Sequence, residues 1–304
     1  MPANARSKRK RVKAVFSGGG VRIPGLIGAY AGAEPYLEFS AVAGTSAGAI
    51  VASLIAAGYS ANELHTIVKG LNFRDFLDRD IWTRCGCFDI VSQTLRGWAY
   101  LGDELHKWLV AQLSKKLREN KVSMHRSQPT FAELPLPLYV VATDVSNQLL
   151  KVFSQKETPH FFVADAVRAS MSIPFFFRPF TVGSCTYIDG GLVNNFPLRL
   201  LDQIGNFDEP TIGFRLQDLI EPCKVRGSVG IARQMLSTII IAGEDGQVKS
   251  ANHSDQYIFD IPTNGIETLH FHISDEEKTV LYNAGKQTVE DEMQELSFFN
   301  GARK

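Results

Sequence analysis

Residues 39–62 contain no Asp, Glu, Lys or Arg, and that run constrains the fold more than any other feature. At that length an uncharged stretch resembles a membrane span. Yet Gly44, Ser46, Gly48 and Gly58 punctuate it, with Thr45 and Ser53 between. A buried strand over 39–43, a tight turn, and a buried helix over 46–57 stopped by Gly58 account for it better. Upstream, 11–17 reads as a short buried strand ended by Gly18-Gly19-Gly20. A helix over 23–33 follows, with Pro24 in its first turn, where a missing N–H costs little. Strand, helix, strand, helix in so short a span is a parallel β-α-β unit and places the chain in the α/β class.

The rest of the chain continues the alternation. Helices are predicted over 61–69, with Ser60 as N-cap, over 103–119, over 163–171 and over 230–241. Strands are predicted over 138–143, with 149–154 as a hairpin partner, and over 186–188, 211–216 and 270–273. Asp275 to Leu296 reads as a terminal helix whose Ser274 and Glu277 form a capping box. Between 72 and 100 the aromatic residues fall in irregular order, Phe73, Phe76, Trp98 and Tyr100 among them. They suit core packing or an apolar cap over a site.

With 44% hydrophobic and 21% charged residues in 304, the composition excludes a disordered chain, and 4 Cys exclude a disulfide-built mini-protein. Lys plus Arg and Asp plus Glu are 32 each, so net charge makes no case for nucleic-acid binding. Six bases (Arg6, Lys8, Arg9, Lys10, Arg11, Lys13) crowd the first thirteen residues without an acid. That run reads as a solvated tail, or as a handle for anionic lipid. The apolar piece after it, Val12 to Phe16, is too short for a secretory signal, and the reading is cytoplasmic. Cys85 and Cys87 form C-x-C while Cys185 and Cys223 stand apart, a poor pattern for zinc.

Three motifs carry chemistry. Gly44-Thr45-Ser46-Ala47-Gly48 is G-x-S-x-G between a strand and a helix, the context a nucleophile turn requires. Small residues let strand and helix cross closely, and the helix dipole faces charge developing beside the hydroxyl. Ser17-Gly18-Gly19-Gly20-Val21-Arg22 also joins a strand to a helix. Ile23 stands where a dinucleotide fingerprint needs glycine, and no Walker lysine follows. A plain tight turn and an oxyanion hole built of backbone N–H groups both remain. For the base, His253, His270 and His272 come late enough in the chain, but the last two alternate with Phe271 and Ile273 like ordinary strand residues. Asp189-Gly190-Gly191 offers a carboxylate instead, if it is desolvated enough to accept a proton; it is also a common turn sequence.

Taken in order, Gly18 to Arg22, Gly44 to Gly48 and Asp189-Gly190-Gly191 resemble the patatin-like phospholipase family. Ala142-Thr143-Asp144, Ala169-Ser170-Met171-Ser172-Ile173-Pro174 with Phe177 and Pro179, and Asn194-Asn195-Phe196-Pro197 add to the likeness. It runs from about residue 12 to about 290 and is weakest between 70 and 135. The resemblance implies a three-layer α/β fold, a mostly parallel central sheet flanked by helices. It implies one domain over 12–296 with a variable helical cap or insert at 70–135, a basic tail over 1–11 and a short tail over 297–304. It implies lipid acyl hydrolysis by a Ser-Asp dyad, with no cofactor and no metal. Ser46 would be the nucleophile and Asp189 the base, supported by Gly190 and Gly191. Gly18, Gly19, Gly20, Val21 and Arg22 would form the oxyanion hole, and Gly44, Thr45, Ala47 and Gly48 the elbow. The substrate would be a phospholipid or other acyl lipid, with peripheral membrane contact. An apolar acyl groove is expected; Phe175, Phe176, Phe177 and Phe180, after the Ile173-Pro174 break, suit core packing or the wall of that groove. The other readings are a Ser-His-Asp esterase or thioesterase, a regulated membrane-degrading effector, and a non-catalytic interaction protein.

Overall fold

The computed structural model describes residues 9–79, 98–204, 209–217, 227–250 and 255–295. Eight strands form one mixed sheet: β1 (Lys10–Phe16), β2 (Leu37–Thr45), β3 (Leu138–Asp144), β4 (Leu149–Ser154), β5 (Phe180–Val182), β6 (Cys185–Asp189), β7 (Thr211–Gln217) and β8 (Gln256–Pro262). Their order is β5-β6-β3-β2-β1-β7-β8, with β4 also on β3. The run β3-β2-β1-β7-β8 is parallel, and β4, β5 and β6 join antiparallel. The helices are α1 (Ile23–Ala33), α2 (Ala47–Ala56), α3 (Ala61–Lys69), α4 (Asp103–Glu119), α5 (Val163–Ser170), α6 (Gly191–Asn194), α7 (Leu200–Ile204), α8 (Gly227–Ser250) and α9 (Asp275–Glu295).

The layers follow from the strand period of two. In β1, Val12, Ala14 and Phe16 join the large helical core, and Val15 faces the other side. In β3, Leu138, Val140 and Ala142 face the first layer, and Tyr139 and Val141 the second. Phe196, Leu198, Leu200 and Leu201 build that second, smaller layer. A sheet covered on both faces explains why its central strands read as continuous apolar runs.

Several expectations change. Residues 270–273 are a turn, not a strand: the Ile273 N–H donates to the His270 carbonyl at 3.0 Å, and Phe271 and Ile273 are buried by that local fold. Alternating burial there imitates a strand without any partner strand. The last strand is β8, whose Asp260 is gripped by Arg215 of β7 at 2.6 Å. The basic tail is shorter than expected, since Lys10 and Arg11 belong to β1. Lys13 is buried and paired with Asp202 of α7. Arg6, Lys8, Cys85, Cys87, Cys223, His253 and the 297–304 tail lie outside the described residues. No helix among the described residues is long and apolar enough to cross a membrane.

Candidate active site

The site begins with a register. β4 pairs with β3 from Tyr139 to Asp144 and so occupies one edge of that strand. The other edge is shared: β2 pairs with β3 up to Thr45↔Val141, and β6 takes over at Asp189↔Ala142. The two strands meet nearly end to end. Ser46 follows the end of β2 and Asp189 is the last residue of β6, so sheet pairing alone brings them side by side.

Ser46 itself is buried and holds φ 52° and ψ −122°, a left-handed conformation rare for a residue with a side chain. The glycines on either side make that turn possible. A Cβ at Gly44 would overlap the Gly48 carbonyl, and one at Gly48 would overlap the Phe16 carbonyl. The Ser46 N–H donates to Ser170 Oγ at 2.9 Å, and Ser170 Oγ donates to the Val141 carbonyl at 2.5 Å. Ser170 also accepts the Gly190 N–H at 3.1 Å through its carbonyl, and the Ser172 carbonyl accepts the Asp189 N–H at 2.9 Å. One short segment at the end of α5 thus holds both the serine turn and the acid turn. The sequence motif containing Ser170 was visible, but nothing in it distinguished this bridging hydroxyl from a core serine.

The Asp189 carboxyl is buried. Burial pushes its pKa up to about 6, while hydrogen bonding from the Ser46 side chain and the Gly191 N–H pulls the other way. Gly191 donates to Oδ1 at 2.7 Å. Oδ2 is buried without a hydrogen-bond partner. Catalytic hydrogen bonds commonly form in full only when substrate binds. Thr45 Oγ1 donates to the Asn194 carbonyl at 2.9 Å, a second tie between the two turns.

The glycine loop faces the same place, with one correction to expectation. The N–H groups of Gly18, Val21 and Arg22 are committed to the carbonyls of Asn195, Thr268 and Gly19. They are not free for an oxyanion, which leaves those of Gly19 and Gly20. Gly20 has φ 60°, and a Cβ there would overlap the Thr268 carbonyl. Arg22 is buried, and its Nε donates to the Gly19 carbonyl at 3.0 Å; it braces the loop from behind.

An apolar cleft of about 370 Å³, partly open solvent, adjoins Ser46. Gly20, Val21, Ile23, Ala47, Ile50, Met171 and Ile173 line it, with Phe73, Phe76 and Leu105 from the expected cap region. Of the four candidate wall phenylalanines only Phe177 lines it, joined by Phe271. Phe176 stacks on Phe271 at 5.0 Å, Phe180 lies in β5, and Phe175 points into solvent. His270 lies 3.6 Å from Glu277 and His272 is exposed. Neither is among the groups that touch Ser46 or Asp189. The described residues contain no cluster of metal-ligating side chains.

Comparison with known proteins points the same way. A family profile described as Patatin-like phospholipase matches residues 14–202. The "Uncharacterized protein YqhO" of Bacillus subtilis is 31% identical over 296 residues, covering 92% of this chain and 97% of its own length. The "Probable lipid hydrolase 463L" of Invertebrate iridescent virus 6 is 26% identical over 189 residues, 61% of either chain. Among solved structures, VipD from Legionella pneumophila aligns with TM-score 0.58 and 16% identity over 95% of this chain and 67% of its own. The ExoU-SpcU complex of Pseudomonas aeruginosa gives TM-score 0.52 and 16% identity over 95% of this chain and 52% of the matched one. At that identity the structural likeness speaks for the fold alone. From the profile match and the near full-length relative, the chain belongs to the patatin-like phospholipase family.

Proposed function

We propose that this protein is a lipid acyl hydrolase of the phospholipase A or lysophospholipase type, working through a Ser46–Asp189 dyad. Family membership supports a lipid-hydrolysing esterase. The observation that carries the finer reading is the meeting of a strained, buried serine hydroxyl with a buried carboxylate of raised pKa, beside an apolar cleft. An ester carbonyl docks between Ser46 and the N–H groups of Gly19 and Gly20. Asp189 takes the hydroxyl proton as Oγ attacks the carbonyl carbon, and the two N–H groups hold the oxyanion. The ester C–O bond breaks, and the leaving alcohol takes the proton from Asp189. Water then gives a proton to Asp189 and attacks the acyl-serine; the acyl–Oγ bond breaks, a fatty acid is released, and Asp189 returns the proton to Ser46 Oγ.

The deciding experiment is mass spectrometry of products from mixed phospholipids with wild type, Ser46→Ala, Asp189→Ala, and the pair His270→Ala and His272→Ala. Wild type should release fatty acid and lysolipid. Each dyad variant should lose about 10³-fold or more in rate, and the histidine variants should keep most activity. Full activity in Asp189→Ala would sink the dyad.

A further inference from the structure

Arg168, in the last turn of α5, is 3% exposed. Burial lowers its pKa to about 10, so it is a cation at neutral pH. Its hydrogen-bond acceptors among the described residues are all neutral. One terminal nitrogen donates to Ser172 Oγ at 2.6 Å. The other donates to the Leu101 carbonyl and to the Arg178 carbonyl, the latter at 2.9 Å. Nε has no partner among the described residues, and the guanidinium stands 5.6 Å over the Phe177 ring. The acids whose charge acts on it, Asp103 and Asp78, are claimed elsewhere. Arg178 holds Asp103 at 2.9 Å, and the Asp78 carboxylate accepts the N–H groups of Gly102, Asp103 and Glu104. Gly102, at φ 75°, makes the room, since a Cβ there would fall 2.7 Å from the guanidinium carbon. A buried cation with no carboxylate at its side costs stability, so gain in stability does not account for the arrangement.

What its acceptors share is their place around the site. Leu101 and Gly102 lead into α4, whose Leu105 lines the apolar cleft. Phe177 lines the cleft too, and Arg178 follows it. The Tyr100 N–H donates to the Phe176 carbonyl and the Arg178 N–H to the Tyr100 carbonyl, both at 2.9 Å, so these two segments are laced together. Ser172 belongs to the acid turn. Its carbonyl accepts the Asp189 N–H at 2.9 Å, and its Oγ donates to the Arg168 carbonyl at 2.9 Å. The guanidinium thus spans from the cleft wall to the residue on which the Asp189 backbone rests. Its planar fork fixes the relative placement of the groups it grips, which a single point charge does not.

We infer that Arg168 is a positioning residue for the acid: through Ser172 it fixes where Asp189 stands against Ser46, and it takes its own bearing from the cleft wall. The inference rests on the lipid hydrolase reading above. Arg168 hydrogen-bonds neither dyad residue, and its effect passes through Ser172. A misplacement of about 1 Å at reacting groups costs about 100-fold in rate, so loss of the fork belongs in the chemical step.

The test is a double-mutant cycle on the full chain with Arg168→Met and Ser172→Ala, assayed on a soluble ester too short to fill the cleft. Each single variant should lose about 10–100-fold in kcat. The double variant should lose about as much as the worse single one, because both break the same link. Additive losses overturn the proposal, as does a normal kcat in either single variant. So does a raised KM for long-chain esters beside a normal kcat on the short one, which would make Arg168 a support of the cleft wall only. Should Arg168→Met misfold, Arg168→Lys takes its place: it keeps the charge without the fork, the same loss is expected, and full activity overturns the proposal. A second readout needs no turnover. The titration of the Asp189 carboxyl, followed by carbon NMR of isotope-labelled aspartate and assigned by its loss in Asp189→Asn, should move in Ser172→Ala from about 6 toward the ordinary 3.8 as the loosened turn admits water. An unmoved midpoint overturns the proposal. If wild type cleaves no ester while that midpoint moves, the hydrolase reading fails and the positioning of Asp189 by this fork stands.

Discussion

A carboxylate is a poor base toward an alcohol unless its environment makes the proton welcome, and burial does that at Asp189. A rise from 3.8 to about 6 corresponds to about 3 kcal/mol of preference for the protonated form. Two consequences can be measured. Activity should fall as pH drops through about 6, because protonated Asp189 cannot accept the Ser46 proton; an acid limb with an apparent pKa near the ordinary 3.8 would count against it. For stability the sign runs the other way. The folded chain holds this proton more tightly than the unfolded chain, so that contribution is full below about pH 4 and is lost as pH rises through about 6. Asp189→Asn has no charge to bury. Its Tm relative to wild type should increase from pH 5 to pH 8, by the equivalent of about 1.4 kcal/mol, the rest of the roughly 3 kcal/mol having been lost already between about pH 4 and pH 5. A difference that stays flat over that range would show that the carboxyl is not desolvated. The turns that carry Ser46 and Asp189 were legible in the sequence because both have a recognisable pattern of glycines. The desolvation was not, since it comes from packing of β6 against distant segments.

At the scale of elements, the segment closing α5 deserves the sharpest prediction. Ser170→Ala removes the acceptor for the Ser46 N–H and the donor to Val141 while leaving both backbone bonds to the acid turn in place. Expected are a loss of about 10–100-fold in kcat with KM nearly unchanged, and a stability cost of about 1–3 kcal/mol from the stranded buried groups. A KM effect with normal kcat would make Ser170 a packing residue only. Legibility of the elements follows local chemistry. α3 occupies the predicted residues because its capping box and its helical periodicity agree, and Ser274 with Glu277 forms the same box ahead of α9; α1 is marked by Pro24 in its first turn, and α4 by its spaced leucines alone. α8 runs well beyond 230–241 because an exposed helix has no amphipathic edge to read. β5 is three residues long and leaves almost no periodic signal. β8 has no predicted counterpart, because Asp260 interrupts its apolar run, while the neater alternation at 270–273 folds as a turn.

For the molecule as a whole, the smaller helical layer meets the sheet on one ion cluster. Asp202, in the smaller layer, pairs with buried Lys13 of β1 and accepts hydrogen bonds from Thr211 of β7 and Gln256 of β8. Asp202→Ala would leave the ammonium of Lys13 buried without its partner, at a cost of about 3 kcal/mol. Thermal unfolding should register that as a Tm drop of several degrees, with the pH profile of hydrolysis unchanged. A shifted profile would mean that the two layers communicate with the dyad. Lys13 read as part of a solvated basic run, because a sequence does not show which charge in a cluster will be claimed by an acid so far along the chain.

The shared edge of β3 has a consequence for how such a chain can change. Because Thr45 and Asp189 are seated on consecutive β3 residues, that strand acts as a ruler between them. Loops between Asp144 and Cys185 can grow or shrink without moving either mark. A slip of β6 by a single position, in contrast, would carry the carboxylate along the strand and turn it to the opposite face. Tolerance to insertions should therefore be generous in the excursions and abrupt at the pairing itself.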